Sequence, residues 1–313
     1  MTQPPRPVLF VVGPTASGKT ALAIALAARF DGEIVNGDSR QFYRGMDIGT
    51  AKPTPNEQSR AAHHLVDVAE PAEACGLAWF LDRAHAVIRT ISDRERLPIV
   101  CGGTGQFIRA LLEDWQVPRV PPDPALRSEL ESRLAVEGVA SLVAELTRLD
   151  PMAAQRVDAM NPRRVMRAIE VARAAPSPAE PAAHRELLDQ RLVLGIQVDR
   201  TVLYQRIDAR VDAMFAGGLV EEVRALTADG RGCGNFAFNA IGYRQVCDFL
   251  AGNSTLEEAR SRTKLATHRL ARTQATWFRR SDPRITWLDA GPNLEAQALA
   301  VTAAFLRTTG YRE

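Results

Sequence analysis

The sequence of 313 residues predicts an α/β fold, a parallel sheet core with an inserted all-helical domain. Three observations carry that reading. Over about the first hundred residues, strand-length apolar runs alternate with helical stretches, the pattern of a parallel sheet covered by helices. Two proline clusters, Pro118, Pro121, Pro122 and Pro124, then Pro176, Pro178 and Pro181, bracket a segment with helical patterning only. The third is Gly13-Pro14-Thr15-Ala16-Ser17-Gly18-Lys19-Thr20, which fits the phosphate-loop pattern G-x-x-x-x-G-K-[ST] and makes the core P-loop NTPase-like.

Val8 to Val12 is an unbroken apolar run, as expected of a strand buried on both faces. It leads into the loop, and the alanine-rich stretch Ala21 to Ala28 continues as a helix. A strand–loop–helix of this kind turns successive backbone N–H groups toward one point. The positive helix end, the Lys19 ammonium and a cation on the Thr20 hydroxyl all favour an anion there. Residues Gly13 to Thr20 are therefore expected to bind two linked phosphates. Gly32 to Asn36 and Leu97 to Cys101 read as further strands, the latter ending in Gly102-Gly103-Thr104-Gly105. Ligands of such sheets collect at the carboxyl ends of the strands, which puts Asp38 and Thr104 on the edge that carries the phosphate loop.

Within the insertion, Asp123 to Val136 and Val139 to Leu149 are amphipathic, and Asn161-Pro162 supplies a cap and a first-turn proline for a helix reaching about Arg173. Arg191 to Val198 returns the chain to the sheet, and long helical patterns follow, broken at Gly217-Gly218, Gly230 to Gly234 and Gly252. The expected organisation is residues 1–117 as the first part of the core, 118–186 as the helical insertion, and 187–313 as the second part with C-terminal helices. No internal repeat is present.

Composition narrows the class. With 46% hydrophobic residues the chain can bury a sizeable core. No hydrophobic signal segment precedes the first strand and no apolar stretch approaches the roughly 20 residues needed to span a bilayer, so no membrane association and a cytoplasmic location are expected. Cys75, Cys101, Cys233 and Cys247 form no C-x-x-C pair, which argues against a disulfide framework or structural zinc and for small buried apolar residues.

Net charge is only +2, so any nucleic-acid surface has to be local. Residues 240–284 hold nine Lys/Arg against four Asp/Glu. At about 100° per residue, Arg262, Arg269, Arg272, Arg279 and Arg280 fall within about a 100° sector of one helix. Arg163, Arg164 and Arg167 form a second cluster at a helix N-terminus, which already favours phosphate. A solvated helix face explains either cluster alone. Both beside a phosphate site point to a nucleic acid.

Asp38 follows a strand and a glycine. It can be a turn residue bonding its own backbone, or a carboxylate placed beside bound phosphates as a base or metal ligand. His63-His64 cannot face one metal from a strand, because neighbours point to opposite faces, so a structural role is expected.

In chain order, GPTASGKT from Gly13, the segment DSRQFYRGMDIGTAKP from Asp38 to Pro53, His64-Leu65-Val66-Asp67, Gly102-Gly103-Thr104-Gly105, Ile241-Gly242-Tyr243-Arg244-Gln245 and Thr276-Trp277-Phe278-Arg279 together resemble the tRNA dimethylallyltransferase family. The likeness spans nearly the whole chain. MDIGTAKP after D-S-x-Q-x-Y is the most specific part, since generic nucleotide kinases lack it.

The resemblance implies transfer of a dimethylallyl group from dimethylallyl diphosphate to the exocyclic amine of the adenine 3′-adjacent to the anticodon, in tRNAs that read codons beginning with U. The phosphate loop then holds a leaving diphosphate, with Mg²⁺ on Thr20. Lys19 and Thr20 stabilise the developing charge, and Asp38 accepts the amine proton. The resemblance also implies tRNA contacts at Asp38, Ser39, Arg40, Gln41, Thr104, Arg127, Arg163, Arg164, Val165, Met166 and Arg167. Further contacts are implied at Asn239, Ala240, Ile241, Gly242, Tyr243, Arg244, Arg272, Gln274, Trp277 and Arg279. The insertion becomes an anticodon clamp, and a monomer is expected. Gln106-Phe107, Arg40 and Thr273 depart from the family pattern and put particular contacts in doubt. The other classes to weigh are a small-molecule or nucleotide kinase using the loop for ATP, a P-loop RNA-binding protein without catalysis, and a free-adenylate isopentenyltransferase.

Overall fold

A computed structural model describes residues 7–174, 190–228 and 232–311. The proline cluster at Pro176, Pro178 and Pro181, the expected boundary at 186/187, Gly230 and residues 1–6 lie outside the described residues. The chain divides into two compact units, one from Met1–Asp114 with His184–Glu313, the other from Trp115–Ala183.

The first unit opens with β1 (Val8–Val12), α1 (Lys19–Arg29), β2 (Gly32–Asn36), α2 (Pro55–Arg60), β3 (His63–His64), α3 (Leu77–Asp93), β4 (Leu97–Cys101) and α4 (Gly105–Leu112). The second unit holds α5 (Pro124–Glu137), α6 (Val139–Leu149), α7 (Pro151–Arg156) and α8 (Pro162–Arg173). The first unit then resumes with β5 (Arg191–Gln197), α9 (Arg200–Ala216), α10 (Leu219–Leu226), α11 (Tyr243–Leu250), α12 (Leu256–Trp277), β6 (Ile285–Asp289) and α13 (Leu294–Thr309).

The sheet is parallel and six-stranded, in the order β3-β2-β4-β1-β5-β6. Every residue of β1, β2 and β4 is buried, as a sheet covered on both faces requires of the apolar runs β1 and β4, and β2 carries the polar Glu33 and Asn36 into the same interior. Val11 pairs with Cys101 on one side and Leu194 on the other, so the phosphate loop leaves the middle of the sheet. Helix α1 buries Leu22, Ala23, Ile24, Leu26 and Ala27 in a core shared with Leu9, Ile99, Leu194 and Leu306. Each large aliphatic side chain so buried contributes about 1.5–3 kcal/mol. The two histidines of β3 behave as strand neighbours must: His64 pairs with the buried Glu33 at 2.6 Å, while His63 bonds the Ala61 carbonyl. Burial pushes the Glu33 carboxyl up, but hydrogen bonds from His64 and Arg96 and the charge of Arg94 outweigh it and hold it below the ordinary range.

The helical unit has its own core of Leu126, Leu130, Leu142, Leu146, Val165, Met166 and Ile169. Asp123 caps α5 by accepting from Ala125 and Leu126 N–H, and Asn161 caps α8 by accepting from Arg164 N–H at 3.3 Å. Two buried carboxylates tie the helices together: Glu145 takes Arg133 and Arg173, and Glu170 takes Arg127 and Arg167.

Two sequence expectations are corrected. Cys233 and Cys247 form a disulfide, because the return of the chain from α10 to α11 brings their Cα atoms to 5.9 Å; a separation of 14 residues carries no motif that announces it. Cys75 and Cys101 are free and buried, as expected. The arginine stripe is shorter than helical periodicity suggests, since α12 ends at Trp277 and Arg279 and Arg280 lie beyond it. Among the described residues no helix is long and apolar enough to cross a membrane.

Candidate active site

Lys19 opens α1 and donates Nζ to the Pro14 carbonyl at 2.7 Å, curling the side chain back over its own loop. Burial holds its pKa below the ordinary lysine value, against the opposing pull of Cys101 and Asp38. The loop is closed by a distant residue. Gln274, buried on α12, accepts the Thr15 N–H at 2.7 Å through Oε1 and donates Nε2 to the Gly103 carbonyl at 2.9 Å. A Cβ on Gly103 would crowd Gln274 Nε2, so a side chain there would push aside the amide that closes the loop. Ser17 is buried with its hydroxyl unpartnered among the described residues, one unspent donor inside the loop.

Asp38 sits just past β2 in a turn set by Asn36. Asn36 Oδ1 accepts the Asp38 N–H at 2.9 Å, and its Nδ2 donates to the carbonyls of Asp38 and Leu65. Asp38 Oδ1 accepts from Arg40 N–H at 3.0 Å, so the side chain does bond its own backbone as a turn residue would. It also lines a cavity, so both sequence readings hold at once. Thr104 caps the other side, its hydroxyl accepting from Ser39 N–H at 3.0 Å and donating to Ser39 Oγ at 3.3 Å.

Two cavities meet at these residues. One, about 380 Å³, is walled by the phosphate loop, Lys52, Glu57 and His63. The other, about 420 Å³, is walled by Ser39, Arg40, Thr104, Asn239, Ala240, Ile241, Thr273, Gln274 and Trp277. Thr15, Lys19, Asp38, Thr50, Ala51, Gly103 and Arg210 line both. The Lys19 ammonium and the Asp38 carboxylate therefore share the wall between the two cavities.

The MDIGTAKP segment forms that wall and is pinned from two sides. Lys52, buried, donates Nζ to the Tyr43 carbonyl at 2.8 Å and to Asp47 and Asp67 carboxylates at 2.5 Å each. Glu222, on α10, accepts the backbone N–H groups of Asp47, Ile48 and Gly49 at 3.1, 2.8 and 3.4 Å, and also the Tyr243 hydroxyl at 2.5 Å. The Tyr243 ring lies where a Cβ on Gly49 would be, which is why that position admits no side chain. Burial and the Glu222 carboxylate keep the Tyr243 phenol protonated far above its ordinary range. Gln41 donates Nε2 to the Thr50 and Ala51 carbonyls. Gln41 and Tyr243, read from the sequence as tRNA contacts, thus serve the scaffold of the wall.

The remaining sequence candidates divide by exposure. Arg163, Arg164, Asn239, Arg244, Arg272 and Arg279 are exposed, with Arg164 3.9 Å from Asp158. Arg127 and Arg167 spend their charge on Glu170. Val165 and Met166 are turned into the helical core, while Ala240 and Gly242 are buried beside Tyr243. Arg40 stacks on Phe236 at 5.1 Å and lines the second cavity. Sequence reasoning missed Arg210, an α9 arginine on both cavities whose pKa burial pulls down, and Glu222. Neither belongs to a local motif. For a metal, Thr20 offers a hydroxyl in the first turn of α1, and among the described residues there is no group of three or more His, Cys, Asp or Glu that could hold an ion.

The IPP transferase family profile matches residues 41–281, and that of isopentenyl transferases matches residues 7–67. The chain is 45% identical to the tRNA dimethylallyltransferase of Roseiflexus castenholzii over 296 residues, 94% of this chain and 97% of that one. It is 47% identical to that of Thermomicrobium roseum over 285 residues, 91% and 86% of the two chains. The crystal structure of a full-length tRNA isopentenylpyrophosphate transferase from Bacillus halodurans superimposes with a TM-score of 0.71 at 36% identity, covering 98% of each chain. With that profile matched over residues 41–281 and relatives about 45% identical over nearly the whole chain, the chain belongs to the IPP transferase family.

Proposed function

We propose that the protein transfers a dimethylallyl group from dimethylallyl diphosphate to the N6 amine of the adenine 3′-adjacent to the anticodon, in tRNAs that read codons beginning with U. The observation that carries this reading is the shared wall of the two cavities, where Lys19 and Asp38 both reach. The loop N–H groups, Lys19 and Arg210 bind the diphosphate and favour the charge that grows on it as the allylic C–O bond breaks. The electron pair of that bond leaves on diphosphate oxygen while the N6 lone pair forms the new C–N bond. The amine becomes acidic only as this bond forms, and Asp38 takes the released proton.

The donor set suits Mg²⁺, a hard cation that keeps waters and substrate phosphates and needs few protein ligands: Thr20 Oγ1 would hold it. When bound it neutralises diphosphate charge. The adenine has to leave its stack to enter the second cavity, where Trp277 and Thr104 face it. Exposed Arg163, Arg164, Arg244, Arg272 and Arg279 are assigned to tRNA phosphates, and the helical unit to the anticodon arm. We assign the reaction to the cytoplasm and to a single chain.

The test is incubation with dimethylallyl diphosphate, Mg²⁺ and unmodified tRNA, followed by nucleoside mass analysis. Dimethylallyladenosine is the expected product. Saturable ATP hydrolysis or phosphoryl transfer, with no prenylated nucleoside, would move the assignment to a kinase.

A further inference from the structure

A third cavity, about 400 Å³, opens at the carboxyl edge of β1, β5 and β6. It touches the phosphate loop at Gly13 and Pro14 and reaches Gln274, but neither Lys19 nor Asp38 lines it. Helix α12 stands between it and the acceptor cavity: Thr273 and Trp277 face the acceptor side, Ala271, Ala275 and Phe278 the third cavity.

Its wall is aromatic and its rim is cationic. Phe278 and Trp287 supply flat surfaces, with the Trp287 indole over Gly195, its partner across the β5–β6 ladder, while the Tyr204 ring is already stacked on His268 at 4.1 Å and lies under Arg200. Trp287 Nε1 and Tyr204 Oη are buried with no hydrogen-bond partner among the described residues. Arg200, Arg272 and Arg280 stand at the rim, all exposed and, among the described residues, without an ion pair; no carboxylate lines the cavity. Arg200 lies over the Tyr204 ring, and among the described residues Arg272 and Arg280 have no carboxylate beside them at this rim. Guanidinium forks match phosphate, aromatic faces match a base, and the volume falls within the range of small-molecule sites.

We propose that this cavity binds a nucleotide, its base against the aromatic wall and its phosphate on the arginine rim, independently of the diphosphate site. The nucleotide is either free or an unstacked residue of an RNA, and its binding does not depend on the assignment of the prenyl reaction.

The test titrates AMP into the full-length protein with the phosphate loop saturated by inorganic diphosphate, followed by equilibrium dialysis and tryptophan fluorescence. Expected is saturable binding that diphosphate does not displace, with quenching lost in Trp287→Phe and affinity reduced at least about 10-fold in Arg200→Gln/Arg280→Gln, diphosphate affinity staying at the wild-type value. If AMP does not bind, but both Trp287→Leu and the arginine pair variant weaken tRNA binding about 10-fold with diphosphate affinity intact, the nucleotide comes from RNA. Displacement of AMP by diphosphate overturns the site. So does the absence of AMP binding with tRNA binding that responds to the arginine variant alone or to neither.

Discussion

The side-chain carbonyl of Gln274 accepts the backbone N–H of Thr15 at 2.7 Å, across 259 residues of sequence. One amide therefore braces the phosphate loop from a helix that also walls the acceptor cavity, and through Gly103 it joins the loop after β4 as well. Replacing Gln274 with Ala removes two hydrogen bonds worth about 0.5–1.5 kcal/mol each. The Kd for inorganic diphosphate, measured by calorimetry, is expected to rise roughly 10-fold. Unchanged diphosphate binding in a folded variant would deny Gln274 this bracing role.

Asp38→Ala is expected to lower turnover by roughly 10²–10⁴-fold with little change in tRNA affinity, because a base acts mainly in the transition state. Asp38→Asn keeps the turn bond to Arg40 N–H and should be similarly impaired. That pair separates proton acceptance from turn geometry. Single-turnover rates near wild type in either variant would reassign the base.

Diphosphate binding needs Lys19 charged, and burial has lowered its pKa. Affinity should therefore fall as pH rises through that lowered pKa, below the ordinary lysine range. For the empty protein the sign is opposite. The native state holds fewer protons at Lys19 than the unfolded chain between the two pKa values, so the contribution of Lys19 to stability rises with pH there. Calorimetric titrations of wild type and Lys19→Arg across pH check this: the arginine variant stays charged and should lose the decline.

Arg163→Gln with Arg279→Gln should flatten the log–log salt dependence of tRNA binding by about 0.7–0.9 for each phosphate no longer neutralised, and Thr273→Arg should tighten binding at low salt. Coincident slopes for wild type and the double variant would make these arginines a solvated face.

Arg127 is expected to behave differently from Arg163. It forms a two-point pair with the buried Glu170, at 2.7 and 3.0 Å, so Arg127→Ala should destabilise the helical unit by about 1–3 kcal/mol. Urea unfolding of the full chain measures it. An unchanged midpoint would show that Arg167 alone satisfies Glu170.

The fold was legible where its causes are local. The run Val8 to Val12, the phosphate loop and the Asn161-Pro162 start of α8 each state their structure within a few residues. Helix α3 follows Gly76 and α13 follows Asn293 without a side-chain cap bond, so neither announces its start, and β6 is a five-residue edge strand. The site was half legible for the same reason. Lys19 and Asp38 belong to motifs, but Arg210 lies mid-helix and Glu222 reaches its three amides across 173 to 175 residues. The Cys233–Cys247 bridge was hidden in the same way, by proximity that only the tertiary path creates.

Order of synthesis gives the Glu222 and Gln274 hydrogen bonds a second meaning. Chains emerge from the ribosome N-terminus first and fold unit by unit. The phosphate loop is made long before the partners that hold it: its brace lies 259 residues further along the chain, and the pin on the Asp47–Gly49 wall 175 residues beyond Asp47. A half-made chain thus carries the loop without the finished pocket.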